Sequence, residues 1–306
     1  MTPGRKECCA VVITAIREEF LAVRRHLREP VEECHPSGTV YEVGRFAGLM
    51  NWKVAVVETG SGNTVAAIEA ERAISYFRPS VLLFVGIAGG VKDVQLGDVV
   101  AATKVYGYEA GKATDIFLPR PDVGQSSFPL IQRARAEARK ADWTNHLQEK
   151  PKVPPAAHVG AMAAGEKVVA STKSQVYRFL KKTYSDALAV EMEGRGILAA
   201  AHANHPVNAL IVRGVSDLID KKDVADSEGY QRLAAEHASA FAFQVLAQLD
   251  STARTMASLA RCSWSSRCNS PPSRIRTACS RCNCSGAPGA TMFCRPPPIC
   301  TPGSPW

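Results

Sequence analysis

SVLLFVGIAGG, residues 80–90, is the stretch that decides the fold. From Val81 it runs without a polar side chain into a glycine loop. A strand with one wet face alternates apolar and polar residues, so a continuous apolar run reads as a central strand covered on both faces. Such a strand needs helices above and below it, and the flanking chain offers them. CAVVITAI (9–16) is a short β-branched run, and REEFLAVRRHL (17–27) has helical spacing. TVYEVGRFAG and WKVAVVET read as paired strands around a turn at Leu49-Met50-Asn51. GNTVAAIEAERAISYF (62–77) reads as an amphipathic helix with Val65, Ala66, Ile68, Ile74 and Phe77 mostly on one side.

The alternation continues downstream. GDVVAATKVYGYE is a strand, PLIQRARAEARKA a helix, AAHVGAMAAGEKVVA a strand and loop, and KSQVYRFLKKT a helix. ALAVEME (strand), GRGILAAAHAN (helix), NALIVRGVSD (strand) and YQRLAAEHASAFAFQVLAQL (helix) follow. The pattern predicts an α/β fold, a three-layer αβα domain on a central mixed sheet, over residues 1–250. GKATDIFLPRPDVGQSS (111–127) lacks a period and is expected to be a long surface loop, either a lid or a plain insertion.

Composition changes sharply near Asp250. Residues 251–306 hold seven arginines, no lysine, acid or valine, and seven of the ten cysteines. Removing those arginines from 37 Lys+Arg leaves 30 against 29 Asp+Glu, so the first 250 residues carry about +1. The formal charge of +8 belongs to this tail, and nucleic acid or a membrane surface is not an expected partner of the main domain. The tail is expected to be disordered, and its composition is also that of a GC-rich gene read in a shifted frame. Cys279, Cys282 and Cys284 leave a zinc knuckle as the alternative, although no second ligand pair stands at a suitable spacing. The N-terminal apolar run reads as a first strand, not a secretory segment. With Cys8, Cys9 and Cys34 at no disulfide-like spacing, a reducing cytoplasm is expected. The histidines, His202 and His205 included, show no metal spacing, and no metal or organic cofactor is implied.

Three strands end in groups capable of chemistry, at the edge where open α/β sheets bind ligands. The first runs into Glu18 and Glu19. ALAVEME delivers Glu191, Met192 and Glu193, and NALIVRGVSD delivers Arg213, Ser216 and Asp217. Each signal alone has a plain alternative. An acidic helix start complements the helix dipole, Ser-Asp after a strand caps a helix, and an arginine makes a structural ion pair. The loops TGSGN (59–63) and GIAGG (86–90) let backbone approach a ligand, yet neither is a Walker loop.

The ordered set AIREEF, TGSGNTVAA, VGIAGGVKDVQLGDVV, AAGEKVV, AVEMEG and VRGVSD is far more specific than its members. It resembles the nucleoside phosphorylase/nucleosidase superfamily over about residues 9–248. Within that superfamily it is most similar to methylthioadenosine/S-adenosylhomocysteine nucleosidases, in particular to such domains fused to immune-receptor-like NTPases. The resemblance implies that Glu193 accepts hydrogen bonds from the ribose hydroxyls and that Met192 packs on the sugar. Asp217, held by Ser216, would be the general acid at the purine. Glu19 would direct water, with Arg213 beside it. Val168 and Val169 would line the base pocket, and Ile87, Ala88 and Gly89 of the glycine loop would also bind substrate. A homodimer or larger homo-oligomer is also implied.

The chemistry is coherent without the family. An N-glycosidic bond breaks through an oxocarbenium-like sugar, the leaving purine needs a proton, and a second carboxylate must face the anomeric carbon. A carboxylate offers two acceptor oxygens to a diol, which gives a buried Glu193 a purpose. Glu191 is expected to point away from the site and to be structural. Phosphorylases of this superfamily hold phosphate with arginines and a hydroxyl in the GIAGG position. Ile87 donates nothing there, which favours water over phosphate. The expected activity is therefore hydrolysis that releases adenine from methylthioadenosine, adenosylhomocysteine or an ATP-like nucleotide. Lys104, Lys112 and Lys167 are candidates for a 5′-phosphate chain. A phosphorylase and a catalytically silent nucleotide-sensing module are the alternatives.

Overall fold

The computed structural model describes residues 8–151, 153–204, 206–219 and 229–250, so the expectations for the tail, Cys279, Cys282, Cys284 and His205 lie outside the described residues. Twelve strands and six α-helices follow in the order β1 (Cys8–Thr14), α1 (Arg17–Arg24), β2 (Arg28–Cys34), β3 (Val40–Ala47), β4 (Asn51–Glu58), α2 (Asn63–Phe77), β5 (Val81–Gly90), β6 (Val99–Gly107), β7 (Gly111–Ala113), β8 (Phe117–Pro119), β9 (Asp122–Gln125), α3 (Phe128–Ala138), β10 (Ala157–Ala164), α4 (Gln175–Thr183), β11 (Ala187–Glu191), α5 (Gly194–Ala203), β12 (Asn208–Asp217) and α6 (Tyr230–Ala247).

The sheet order is β11-β10-β6-β12-β5-β1-β4-β3-β2, with β9 added to β6. β5 pairs in parallel with β1 and β12, while β2, β3 and β4 form an antiparallel flank, so the sheet is mixed. β11 also pairs antiparallel with the end of β5, through Ala189 with Gly90 and Val190 with Gly89. That last pairing closes β5, β12, β6, β10 and β11 into a ring.

SVLLFVGIAGG is the central strand its composition demands. Val81, Leu83 and Val85 join a core made with α1, α3 and α6, while Leu82 and Phe84 join a second core made with α2 and α5. Both faces are covered, so every side chain of the run can be apolar. α4 packs through Leu180 on a third, smaller cluster with Val169, Ala187 and Val190.

Two expectations need correction here. On α2 the buried face is Ala66, Ala70, Ala73 and Ile74, whereas Val65 and Ile68 are exposed. α2 lies close against α5, and only small side chains fit between them. The segment 111–127 holds β7, β8 and β9 and is not an irregular loop throughout: β7 and β8 form a separate two-stranded ribbon, and β9 extends the main sheet. REPVEEC (28–34), unassigned from sequence, is the edge strand β2, with a charged composition suited to an unpaired edge.

The α2–α5 contact carries the first prediction. A Cβ on Gly196 would lie 2.0 Å from the carbonyl oxygen of Asn63. Gly196→Ala should therefore cost about 1–3 kcal/mol, the usual range for overpacking. The check is a urea unfolding curve with a lower midpoint and an unchanged slope.

Candidate active site

The carboxyl ends of β1, β5, β11 and β12 meet at one side of the sheet, and a cavity of about 280 Å³ opens there. Its volume is at the small end of ligand pockets. Glu19, Ile87, Ala88, Gly89, Val168, Val169, Met192, Glu193, Ser216 and Asp217 all line it, which gathers ten of the eleven expected site residues. The eleventh, Arg213, lies fully buried behind the wall and contacts three of its acids.

The positions of these groups follow from strand register. β12 runs parallel to β5, with Arg213 opposite Gly86 and Asp217 opposite Gly89. The guanidinium lies over Gly86 and stacks on the Phe84 ring, its central carbon 3.8 Å from the ring centroid. A Cβ at residue 86 would sit 1.9 Å from Arg213 Nη1 and 2.2 Å from Glu19 Oε1, so only glycine leaves room for this pair. Arg213 Nη2 donates to Glu191 Oε2 at 2.8 Å and Glu193 Oε2 at 2.6 Å, while Nη1 reaches Glu19 Oε1 at 3.4 Å. Burial works against the guanidinium charge, but the three carboxylates outweigh it and hold its pKa above the ordinary value.

Glu19 is placed by the turn between β1 and α1. Its Oε2 accepts the amides of Ala15 (2.6 Å) and Ile16 (3.2 Å), and Oε1 accepts the amide of Ile87 (2.8 Å). The first two bonds close the α1 N-terminus, so the helix-start alternative describes part of what Glu19 does. The third ties it across the cavity to the glycine loop. Burial pushes its carboxyl above the usual range, against the lowering pull of Arg213 and the three amides.

Glu193 stands at the β11–α5 junction, in the N-cap position of α5. Its Oε1 accepts the amide of Gly62 at 3.0 Å. Gly62 has φ 115°, a left-handed backbone suited to glycine, and that turn aims its N–H at the carboxylate. Burial first, and the neighbouring Glu191 charge second, push Glu193 up to about 7 against the pull of Arg213. Asp217 ends β12 with its carboxyl buried. Oδ2 accepts from Ser216 Oγ at 3.1 Å, and Oδ1 accepts the Ile219 amide at 3.0 Å.

Glu191 does not point away from the site. It lines the cavity and shares Arg213 Nη2 with Glu193. Residues two apart on a strand face the same side, and the chain turns immediately after Glu191, which keeps both carboxylates on one guanidinium. Its Oε2 also accepts the amides of Glu193 (3.0 Å) and Gly194 (2.8 Å). Of the three lysines, only Lys167 lines the cavity, bound to Glu109 at 2.7 Å. Lys104 is held by Asp186 at 3.0 Å, and Lys112 lies on the β7–β8 ribbon.

Gln231 lines the cavity without a sequence signal of its own, and Ala15, Ile16, Ser61 and Val190 line it from motifs in which they are not singled out. Asn63 is a further omission, behind the wall. Its Nδ2 donates to the Gly165 carbonyl (3.2 Å) and to Glu166 (3.0 Å), and its Oδ1 accepts the Gly196 amide (3.0 Å). One buried side chain thereby fixes α5 and the 165–169 loop to the start of α2. Its place at the end of TGSGN was the available clue. Among the described residues, no cluster of histidine, cysteine and acids has metal-binding geometry. No helix among them is long and apolar enough to cross a membrane.

The chain is similar in sequence and fold to known proteins. A 5′-methylthioadenosine/S-adenosylhomocysteine nucleosidase of Staphylococcus aureus (strain JH9) is 26% identical over 249 residues, covering 78% of this chain and 99% of that protein. Among solved structures, the Neisseria meningitidis nucleosidase of the same name, in complex with methylthio-immucillin-A, superposes with a TM-score of 0.65. It is 24% identical, over 79% of this chain and 99% of that one. A futalosine hydrolase mutant of Helicobacter pylori gives a TM-score of 0.65 at 18% identity, over 79% of this chain and 100% of that one. These two structural likenesses establish a shared fold. The family model described as the phosphorylase superfamily matches residues 10–247, most of the chain, and the protein belongs to that superfamily.

Proposed function

We propose that the protein hydrolyses the N-glycosidic bond of an adenine nucleoside or nucleotide and releases adenine. The observation that carries this reading is the convergence of Glu19, Glu193 and Asp217, from three distant chain segments, on one cavity. The name of the Staphylococcus aureus relative supports it: it is a 5′-methylthioadenosine/S-adenosylhomocysteine nucleosidase. We place the activity in residues 1–250, with 251–306 outside the catalytic domain.

The adenine lies against Val168 and Val169, and the ribose lies on Met192 with its hydroxyls donating to Glu193. Asp217, steadied by the Ser216 hydroxyl, gives a proton to the purine ring as the bond from its nitrogen to the anomeric carbon breaks. The bond electrons go to the ring. Glu19 takes a proton from water, whose oxygen bonds to the anomeric carbon on the opposite face. A buried carboxyl with a raised pKa is a better base than a solvated one, and Glu19 has that environment. Water is favoured over phosphate because, among the described residues, the lining offers no arginine and one lysine, already paired with Glu109. Phosphate needs several charge-assisted donors. The Ile87 position, where a hydroxyl would serve phosphate, contributes its amide to Glu19 instead. A cytoplasmic location and a homo-oligomer complete the reading. Exposed Val40, Val65 and Ile68 share one groove on the outer side of α2 and β3 and support the second.

Incubation with methylthioadenosine, adenosine and ATP should release free adenine from at least one of them without added phosphate. A phosphate requirement with ribose 1-phosphate as product would mark a phosphorylase, and tight binding without base release a silent sensor. Asp217→Asn should lower kcat by about 10²–10⁴-fold, the usual contribution of a general acid. Glu193→Ala removes two hydrogen bonds from a charged acceptor, each worth about 1.5–3 kcal/mol, and should lower kcat/KM at least tenfold. Both are read in the adenine-release assay, with circular dichroism confirming the fold. Sedimentation of the full chain should show a species larger than a monomer.

A further inference from the structure

Three carboxylates meet one guanidinium, and they do not hold it equally. Glu191 accepts Arg213 Nη2, the Glu193 amide and the Gly194 amide, the last with both oxygens at 2.9 and 2.8 Å. Glu19 accepts three amides besides its longer contact with Arg213. Glu193 accepts a single amide, that of Gly62, and must share Nη2 with Glu191. Donors to a carboxylate favour its ionised form, so Glu193, with the fewest fixed donors, is the poorest holder of charge. The charged groups facing it are Arg213 from β12, Glu191 from β11 and Glu19 from α1. Glu166 lies beyond Gly62, its Oε2 3.5 Å from where a Gly62 Cβ would be. With all three nearest acids ionised, the buried compartment would carry a formal −2, a state that burial opposes strongly.

We propose that Glu191 is a positioning residue that governs the proton of Glu193. By occupying the same Arg213 nitrogen and two amides at the head of α5, it leaves Glu193 protonated below neutral pH in the unliganded protein. That proton is released to solvent when a vicinal diol binds. This rests on the proposed function, in which Glu193 receives the ribose hydroxyls. An ionised carboxylate has about four acceptor sites. Gly62 and Arg213 fill two of them. The remaining two match a diol, and a proton on Glu193 would occupy one. The rise of Glu193 to about 7 agrees with the geometry. Glu193 binds a diol only when ionised, so affinity rises with pH up to about 7 and is level above it.

The test is titration calorimetry on the full chain, in buffers of different ionisation enthalpy. The ligand is a C-nucleoside analogue of adenosine, whose carbon–carbon ribosyl link resists hydrolysis, compared with its 2′,3′-dideoxy counterpart. The diol ligand should release about 0.9 proton at pH 6, about half at pH 7 and about 0.1 at pH 8, as a single group near 7 requires. The dideoxy ligand should release none. In Glu191→Gln, Arg213 serves Glu193 without a rival, and the pH midpoint for binding should fall by at least about one unit. Glu191→Asp, which keeps the charge, should leave it near 7. Carbon-13 NMR of the carboxyl groups in the wild type checks the same assignment without a variant: Glu193 should titrate near 7. Binding without proton release, or an unmoved midpoint in Glu191→Gln, overturns the role of Glu191 and leaves the site's function standing. No binding of the diol ligand at any pH overturns both.

Discussion

The structure depends on one buried cation. Arg213 sits at zero exposure between the sheet and the cavity, and its guanidinium joins groups delivered by α1, β11 and the head of α5. Of those elements only α5 is next to β12 in sequence, and the groups come from residues 19, 191 and 193. An uncompensated charge in such a place is costly, so the acids must arrive once the arginine is fixed, and the arginine must stay once they have arrived. The Phe84 face beneath it accepts the cation as well, which makes the strand that decides the fold also the floor of the charge cluster.

The ring closure turns this cluster into a site. β5 must end close to β11 for Val190 to pair with Gly89, and that pairing brings Glu191 and Glu193 to the same side as Asp217, opposite Gly89 on β12. In an open sheet the two acidic ends would lie strands apart. The glycines of GIAGG are consistent with this crowding: at residue 86 they admit Arg213 and Glu19, and at residue 89 a Cβ would lie 3.2 Å from Asp217 Oδ1. Backbone amides from Ala15, Ile16, Ile87, Gly62 and Ile219 are already aimed at the acids. Donors fixed by the fold need no reorganisation when charge develops, which is the main electrostatic advantage of a folded catalyst.

Much of this was legible because the relevant signals are long or local. SVLLFVGIAGG could be read as a two-sided strand because no polar residue interrupts it, and the acids of the site stand directly at strand ends. The illegible parts have physical reasons. Val65 and Ile68 looked like a packing face because they are large and apolar, but α2 meets α5 so closely that alanines pack there and the larger residues turn outward. β7, β8 and β9 are three or four residues each, too short for a period of two to show. Glu191 faces the site, against expectation, because the alternation rule places it there: two residues from Glu193, it shares that face. Gln231 reaches the cavity by tertiary placement alone, and no local pattern announces it.

The cluster also bears on why the molecule tolerates so much buried charge. Apolar residues of similar volume often hold elements together as well as a buried ion pair does, or better. These four segments could therefore be joined more simply than by three acids and an arginine whose Nε has no protein partner among the described residues. Stability of the fold does not call for that arrangement. A sugar that gains positive charge as its base departs does call for it, because such a centre needs negative charge nearby that is already desolvated and oriented. The same requirement explains why the cation is an arginine. Its two terminal nitrogens serve three carboxylates in fixed directions, whereas a lysine would present one movable point charge and leave the acids free to reorient.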